Sequence, residues 1–299
     1  MENKIANLII AGVSKCGSTS LFAYLAAHPD VCGSNKKETQ FFMPLKFGKQ
    51  LPLLSEYENF FTNCADEKYR LDATPYYLFG GKKIAEAIRD NVNDAKIIFI
   101  LRNPVTRSYS WYRHCLFNLM IPEKISFTDY FNEAERKIKS DSNVWDNHSR
   151  AIQESDYIGS LPAWFEIFPK EKIKIIFFEH LKQNPRKVMN NLCEWLEIDA
   201  SKIPDEILKP ENTAGNYRFR WFRNLFLWAR KNREKLFLKN KWLNKRLKNM
   251  EQRLNKTSRT DKLSDTERIH LEQFFAKQNQ ELHHFFLSNG YSEFPDWLS

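Results

Sequence analysis

Residues 8–25 read LIIAGVSKCGSTSLFAYL. An apolar, strand-like run ends at Ala11, and a loop carrying Gly12, Lys15 and Gly17 follows. Ser18, Thr19 and Ser20 then open an amphipathic helix with Leu21, Phe22 and Leu25 on one side. A strand, a glycine loop and a helix start aim backbone N–H groups and the positive end of a helix at one point. A phosphate-like anion is the natural occupant of that point.

The same alternation continues outward. Lys96–Leu101 is a continuous apolar run that stops abruptly at Arg102-Asn103-Pro104, and residues 172–179 enclose a second such run. Continuous rather than alternating hydrophobicity suits strands covered on both faces. Between and after them, Ile84/Ala87/Ile88, Trp164/Phe165/Phe168 and Val188/Leu192/Trp195 fall at helical spacing. Ser264 followed by Glu267 predicts a capping box at the start of a long last helix. Strands alternating with helices predict an α/β fold: a P-loop-type parallel sheet flanked by helices, with a helical C-terminal region, in one domain over residues 1–299.

Composition narrows the classes. With 299 residues, 42% hydrophobic and 28% charged, the chain can bury a full core. No apolar run approaches the roughly 20 residues of a membrane span, and no secretory signal pattern opens the chain. Five scattered cysteines without a CxxC argue for reduced thiols and a cytoplasmic protein, with neither a zinc knuckle nor a redox pair. The net charge of +9 is concentrated: residues 218–256 hold 14 Lys/Arg against Glu234 and Glu251, so the remainder is net negative. Leu236, Leu243, Leu247, Met250 and Leu254 give that basic segment one apolar helical stripe. Its interleaved Trp and Phe residues raise nucleic acid as a ligand. An amphipathic helix with a solvated cationic face accounts for them better, and leaves a peripheral membrane contact open.

The Gly12–Thr19 stretch nearly matches a nucleotide P-loop, GxxxxGK followed by Ser or Thr, but its lysine sits at Lys15 inside the loop. A P-loop kinase also needs an acidic residue at a strand end to hold magnesium, and the clearest strand here ends in Arg102. Phosphoryl transfer is thereby disfavoured and no metal is expected. Arg102 at a strand end and Ser110 eight residues later offer a second anion site at the same edge of the sheet.

Two phosphate sites without a magnesium site resemble the sulfotransferases that use 3′-phosphoadenosine 5′-phosphosulfate (PAPS). Lys37-Glu38-Thr39-Gln40-Phe41-Phe42, Asp72-Ala73-Thr74-Pro75-Tyr76-Tyr77 and the closing Leu263-Ser264-Asp265 segment through Trp297 resemble bacterial carbohydrate-type enzymes and the domains that sulfate heparan. The resemblance implies that Lys15, Cys16, Gly17, Ser18, Thr19 and Ser20 hold the 5′-phosphosulfate, and that Arg102 and Ser110 hold the 3′-phosphate. It implies Glu38 as catalytic base beside Phe41 and Phe42, with Lys15 balancing charge on the leaving oxygen. One or more of Lys256, Arg259 and Lys262 is expected to close over the donor, and Lys37, Tyr76 and His148 to face the acceptor. His114 and His148 are rival bases, ranked below Glu38. Heparan-modifying enzymes usually carry lysine where Ala73 stands, and their disulfide-bearing donor loop is not evident. The acceptor is expected to be a glycan hydroxyl or amine, with a small secondary metabolite as the alternative.

Overall fold

A computed structural model describes residues 4–208, 216–217, 256–257 and 262–299. The first strand, β1 (Leu8–Gly12), is buried along its whole length and leads through the loop into α1 (Ser18–Leu25). Then come β2 (Val31–Gly33), a 3-10 turn (Met43–Phe47), the short α2 (Leu54–Glu58) and β3 (Tyr69–Ala73). Next are α3 (Gly81–Asn91), β4 (Lys96–Leu101), α4 (Pro104–Phe117), α5 (Phe127–Ser140), α6 (Arg150–Gln153) and α7 (Leu161–Ile167). β5 (Ile173–Phe177), α8 (Phe178–Gln183) and α9 (Pro185–Leu196) follow. Asn216–Tyr217 (β6) pairs antiparallel with Lys256–Thr257 (β7), and α10 (Asp265–Ser288) is the last long helix. Ser264 caps α10 with the expected box: its hydroxyl accepts from the Glu267 N–H, and the Glu267 carboxylate accepts from the Ser264 N–H at 2.9 Å.

Five strands form one parallel sheet in the order β2-β3-β1-β4-β5. Helices cover both faces, which is why β1 and β4 read as unbroken apolar runs. Parallel pairing has a functional consequence. All five strands end at the same edge, so the segments following β1, β2, β3 and β4 are brought side by side there. Those segments carry Lys15, Glu38, Tyr76 and Arg102, respectively. The basic stretch expected to be helical lies outside the described residues from 218 to 255.

The loop after β2 is held to the end of β3 by a buried carboxylate. Asp72 is fully enclosed and accepts four hydroxyl hydrogen bonds. Thr39, Tyr57 and Tyr77 donate to Oδ2 at 2.6, 3.0 and 3.0 Å, and Thr74 donates to Oδ1 at 2.9 Å. Burial raises the Asp72 pKa, and the four hydroxyls oppose that shift. The Thr74 hydroxyl also accepts from the Gln40 N–H at 3.2 Å. Phe41 stacks on Tyr57 at 4.5 Å between ring centroids, and Phe42 meets Tyr57 and Tyr77 edge-on. These rings belong to the core that anchors the loop.

The cysteine reading needs correction. Cys32, on the edge strand β2, is joined by a disulfide to Cys64, with Cα atoms 5.7 Å apart; Cys16, Cys115 and Cys193 are free and buried. The turn after α2 folds back along β2. The Asn35 N–H donates to the Phe60 carbonyl at 2.8 Å, and Asn63 Nδ2 donates to the Gly33 carbonyl at 3.2 Å. Thirty-two residues of sequence separation hide a spatial neighbour. Thiol number therefore no longer argues for a reducing compartment.

Two measurements check this account. Asp72→Asn puts an amide donor among four hydroxyl donors and should lower unfolding free energy by about 1–3 kcal/mol; an unchanged denaturant midpoint would contradict the role given to Asp72. Reducing the Cys32–Cys64 bridge should cost about 3–4 kcal/mol through loop-closure entropy. Thiol titration of the unfolded, unreduced chain should find the three free cysteines and not five.

Candidate active site

The loop between β1 and α1 is shaped from three directions. The Val13 N–H donates to the Ile100 carbonyl of β4 at 3.0 Å. Gly17 precedes α1 in the left-handed region, φ 94°, and a Cβ there would lie 3.0 Å from the Phe178 ring. Both constraints call for glycine. Ser18 and Ser20 are buried in the first turn of α1, while Thr19 is partly exposed. Lys15 also has a positive φ, 67°, and its carbonyl accepts from Arg102 Nη1 at 3.0 Å.

Arg102 is braced on every side. Its Nε donates to Thr106 Oγ1 at 2.9 Å, its guanidinium lies 4.6 Å from the centroid of the Phe178 ring, and its carbonyl accepts from Tyr157 OH at 2.7 Å. At the other end of the same helix, Lys15 Nζ lies 3.3 Å from His114 Nδ1. Thr106, Ser110 and His114 follow at i, i+4 and i+8 on α4, so they share a face over roughly 12 Å of axis. Ser110 is thus placed between the points reached by Arg102 and Lys15.

The charges in this corner are treated unequally. Arg107 is fully buried and satisfied. Its Nη2 meets Glu154 Oε2 at 2.6 Å, and Nη1 donates to the Arg150 carbonyl, the Ala151 carbonyl and Ser155 Oγ at 3.0–3.1 Å. Its Nε donates to the Ser14 carbonyl at 3.3 Å, which ties the loop to α4. Glu154 also accepts from the Ser14 hydroxyl and from Arg150 Nε. Among the described residues, Lys15 and Arg102 by contrast form no ion pair with a carboxylate. Burial, with Arg107 and Arg102 nearby, lowers Lys15 to about 8. Burial and the Lys15 charge push His114 down to about 4. His114 is therefore a neutral imidazole near neutral pH, which lets its Nδ1 accept from the Lys15 ammonium; Asn118 Nδ2 lies 3.2 and 3.3 Å from the two ring nitrogens.

Across the edge, the Lys37 ammonium lies 2.8 Å from Glu38 Oε1. Glu38 and Gln40 both have left-handed backbone, φ 62° and 59°. Tyr76 feels the Glu38 charge, and its pKa is raised, first by burial and then by Glu38. Its ring lies 4.6 Å from the Arg150 guanidinium, which also sits 4.1 Å from Trp111. Arg150 thus joins the Glu38–Tyr76 side of the edge to the Glu154 hub beneath the loop.

The remaining expected site residues are placed as follows. The Cys16 side chain is fully buried, 3.9 Å from Tyr157 OH and 3.6 Å from the Ser14 carbonyl, and burial pushes its thiol up to about 12. Only its backbone can meet an anion. The Phe41–Phe42 pair, expected beside Glu38, turns into the core. The His148 ring lies 4.9 Å from Tyr130, and the His148 backbone N–H donates to Asp146 Oδ1; among the described residues no hydrogen bond or ion pair joins it to Lys15, Glu38 or Tyr76. Lys262 is exposed ahead of the α10 cap, whereas Arg259 and the Lys256 side chain lie outside the described residues. Sequence reasoning missed Arg107, Arg150 and Glu154 and ranked His114 low. The i+4 and i+8 spacing from Thr106 was the available signal for His114.

The chain is similar to several known proteins. The sequence profile described as Sulfotransferase domain matches residues 6–225. A bifunctional heparan sulfate N-deacetylase/N-sulfotransferase 1 of Caenorhabditis briggsae is 28% identical over 205 residues, 66% of this chain and 23% of that protein. The chain spans only about a fifth to a quarter of the length of such relatives. A membrane-associated sulfotransferase kil1 of Dictyostelium discoideum is 31% identical over 283 residues, covering 70% of this chain and 59% of that one. In fold, the chain is similar to the crystal structure of a sulfotransferase from Alicyclobacillus acidocaldarius. That match has a TM-score of 0.69, 21% identity and coverage of 98% and 99%. With the profile matched over most of its length, this chain belongs to the sulfotransferase domain family.

Proposed function

We propose that this enzyme transfers a sulfuryl group from PAPS to a hydroxyl or amine of a glycan acceptor. The observation that carries the reading is the pair of partly buried cations, Lys15 and Arg102, which form no direct ion pair with a carboxylate among the described residues while their buried neighbour Arg107 is neutralised by Glu154. Partly desolvated cations without a direct carboxylate partner favour an anionic ligand. Lys15 and the start of α1 would take the 5′-phosphosulfate, and Arg102 with Ser110 the 3′-phosphate. The heparan sulfate N-sulfotransferase relatives support a sugar acceptor. The basic stretch 218–256 supports a peripheral contact with an anionic surface, in keeping with the membrane-associated name of the Dictyostelium relative.

In this reading the acceptor O–H or N–H attacks sulfur in line with the bond to the 5′-phosphate oxygen. An acceptor–sulfur bond forms as that sulfur–oxygen bond breaks. The proton passes to the Glu38 carboxylate, and the electron pair stays on the phosphate oxygen. Lys15 balances the charge gathering there, with its ammonium held by neutral His114. No step needs a metal.

Calorimetry tests donor binding: 3′-phosphoadenosine 5′-phosphate should bind without magnesium, and binding of magnesium-ATP alone would overturn the reading in favour of a kinase. Labelled PAPS offered with a panel of glycans tests transfer. Glu38→Gln should lower kcat by about 10²–10⁴-fold and leave affinity for the product nucleotide unchanged; near-normal turnover would remove Glu38 as the base.

The pH dependence has a defined sign. The anion binds the ammonium form of Lys15, which the free protein loses as pH rises through about 8. Affinity should therefore be full below that value and fall above it by up to about tenfold per pH unit. Proton uptake on binding should appear in buffers of different ionisation enthalpy. Lys15→Met should abolish the slope, and Lys15→Arg, which keeps its charge, should flatten it.

A further inference from the structure

Outside the phosphate corner, the loop after the Met43–Phe47 turn exposes apolar side chains. Phe47 is 53% exposed and Leu53 73%, the largest exposure among the large hydrophobic residues described. The base of the loop is fixed: Leu45, Leu51 and Leu54 pack against the core, and the Lys49 N–H donates to the Pro44 carbonyl at 3.0 Å. Its tip is open, since a Cβ added at Gly48 (φ 68°) would meet nothing within 4 Å.

Charge in this segment has one sign. From Thr39 to Ser55 there is no acidic residue, and Lys46 and Lys49 are the only charged side chains. Lys46 is occupied inward, with Nζ 2.6 Å from the Phe79 carbonyl and 3.8 Å from the centroid of Trp145. Lys49 is left exposed between Phe47 and Leu53. Two protruding apolar side chains flanking a cation match a bilayer boundary. The apolar groups enter the acyl region while the ammonium stays among anionic headgroups.

We infer that the Phe47–Leu53 loop docks this protein on an anionic lipid bilayer. The same segment begins just after the Glu38 loop, so docking would set that end of the sheet edge toward the membrane surface. This contact is independent of sulfuryl transfer and separate from any contact made by residues 218–256.

Flotation of the full chain with vesicles of phosphatidylcholine and phosphatidylglycerol tests the contact. Leu53→Cys carrying a polarity-sensitive fluorophore reports on the loop itself, because the three free cysteines are buried. Its emission should shift to the blue on vesicle addition. The double variant Phe47→Ser, Leu53→Ser should bind at least about tenfold more weakly. Unchanged binding of the double variant, or no blue shift in bound protein, would overturn the inference and assign binding elsewhere. Equal binding to pure phosphatidylcholine would overturn the anionic surface. A blue shift without vesicles that grows with protein concentration would assign the loop to a second copy of the chain.

Discussion

The buried pair of Arg107 and Glu154 is the interaction on which the rest of the edge depends. Neither side chain has solvent exposure, so each must satisfy its polar atoms inside the protein. They do so by gripping the loop after β1 at Ser14, α4 through Arg107, and α6 through the Arg150 and Ala151 carbonyls. Removing one partner of such a pair typically costs about 3–5 kcal/mol, because the survivor is left charged and dry. Here the same loss would also release the loop from two helices. The pair also decides which charges remain for a ligand. Arg107 is neutralised internally, and Lys15 and Arg102 are not.

A second carboxylate, Asp72, holds the opposite side by other means. It has four hydroxyl donors and, among the described residues, no cation partner. One anion is balanced by guanidinium groups and the other by neutral dipoles. The two anchor different loops to the same sheet edge, and Tyr76 and Arg150 connect the two sides.

Much of this was legible in the sequence, for a physical reason. Strands β1, β4 and β5 are covered on both faces, and that burial leaves unbroken apolar runs. The αL position at Gly17 and the cap at Ser264 leave single-residue signatures. Glu154 was not legible, because a glutamate in a polar helical stretch carries the same letters whether it is solvated or enclosed. The Cys32–Cys64 bridge was hidden because it depends on the segment after α2 folding back on β2. Adjacency in sequence alone suggests Phe41 and Phe42 beside Glu38. Glu38 has φ 62°, and the backbone sends the rings inward while the carboxylate stays by Lys37.

Lys15 and Glu38, the two residues assigned the chemistry, are also non-glycine residues in left-handed backbone. Such a conformation costs an L-residue about 1–2 kcal/mol. A mutation to glycine at either position would relieve that cost while erasing the functional group. Purifying selection on folding alone would therefore not preserve them, and drift in a duplicated copy would run toward a well-folded, inert protein. A paralogue with intact strands and glycine at these two positions would lack both the proposed base and one of the two donor cations, with no loss of fold to mark the change.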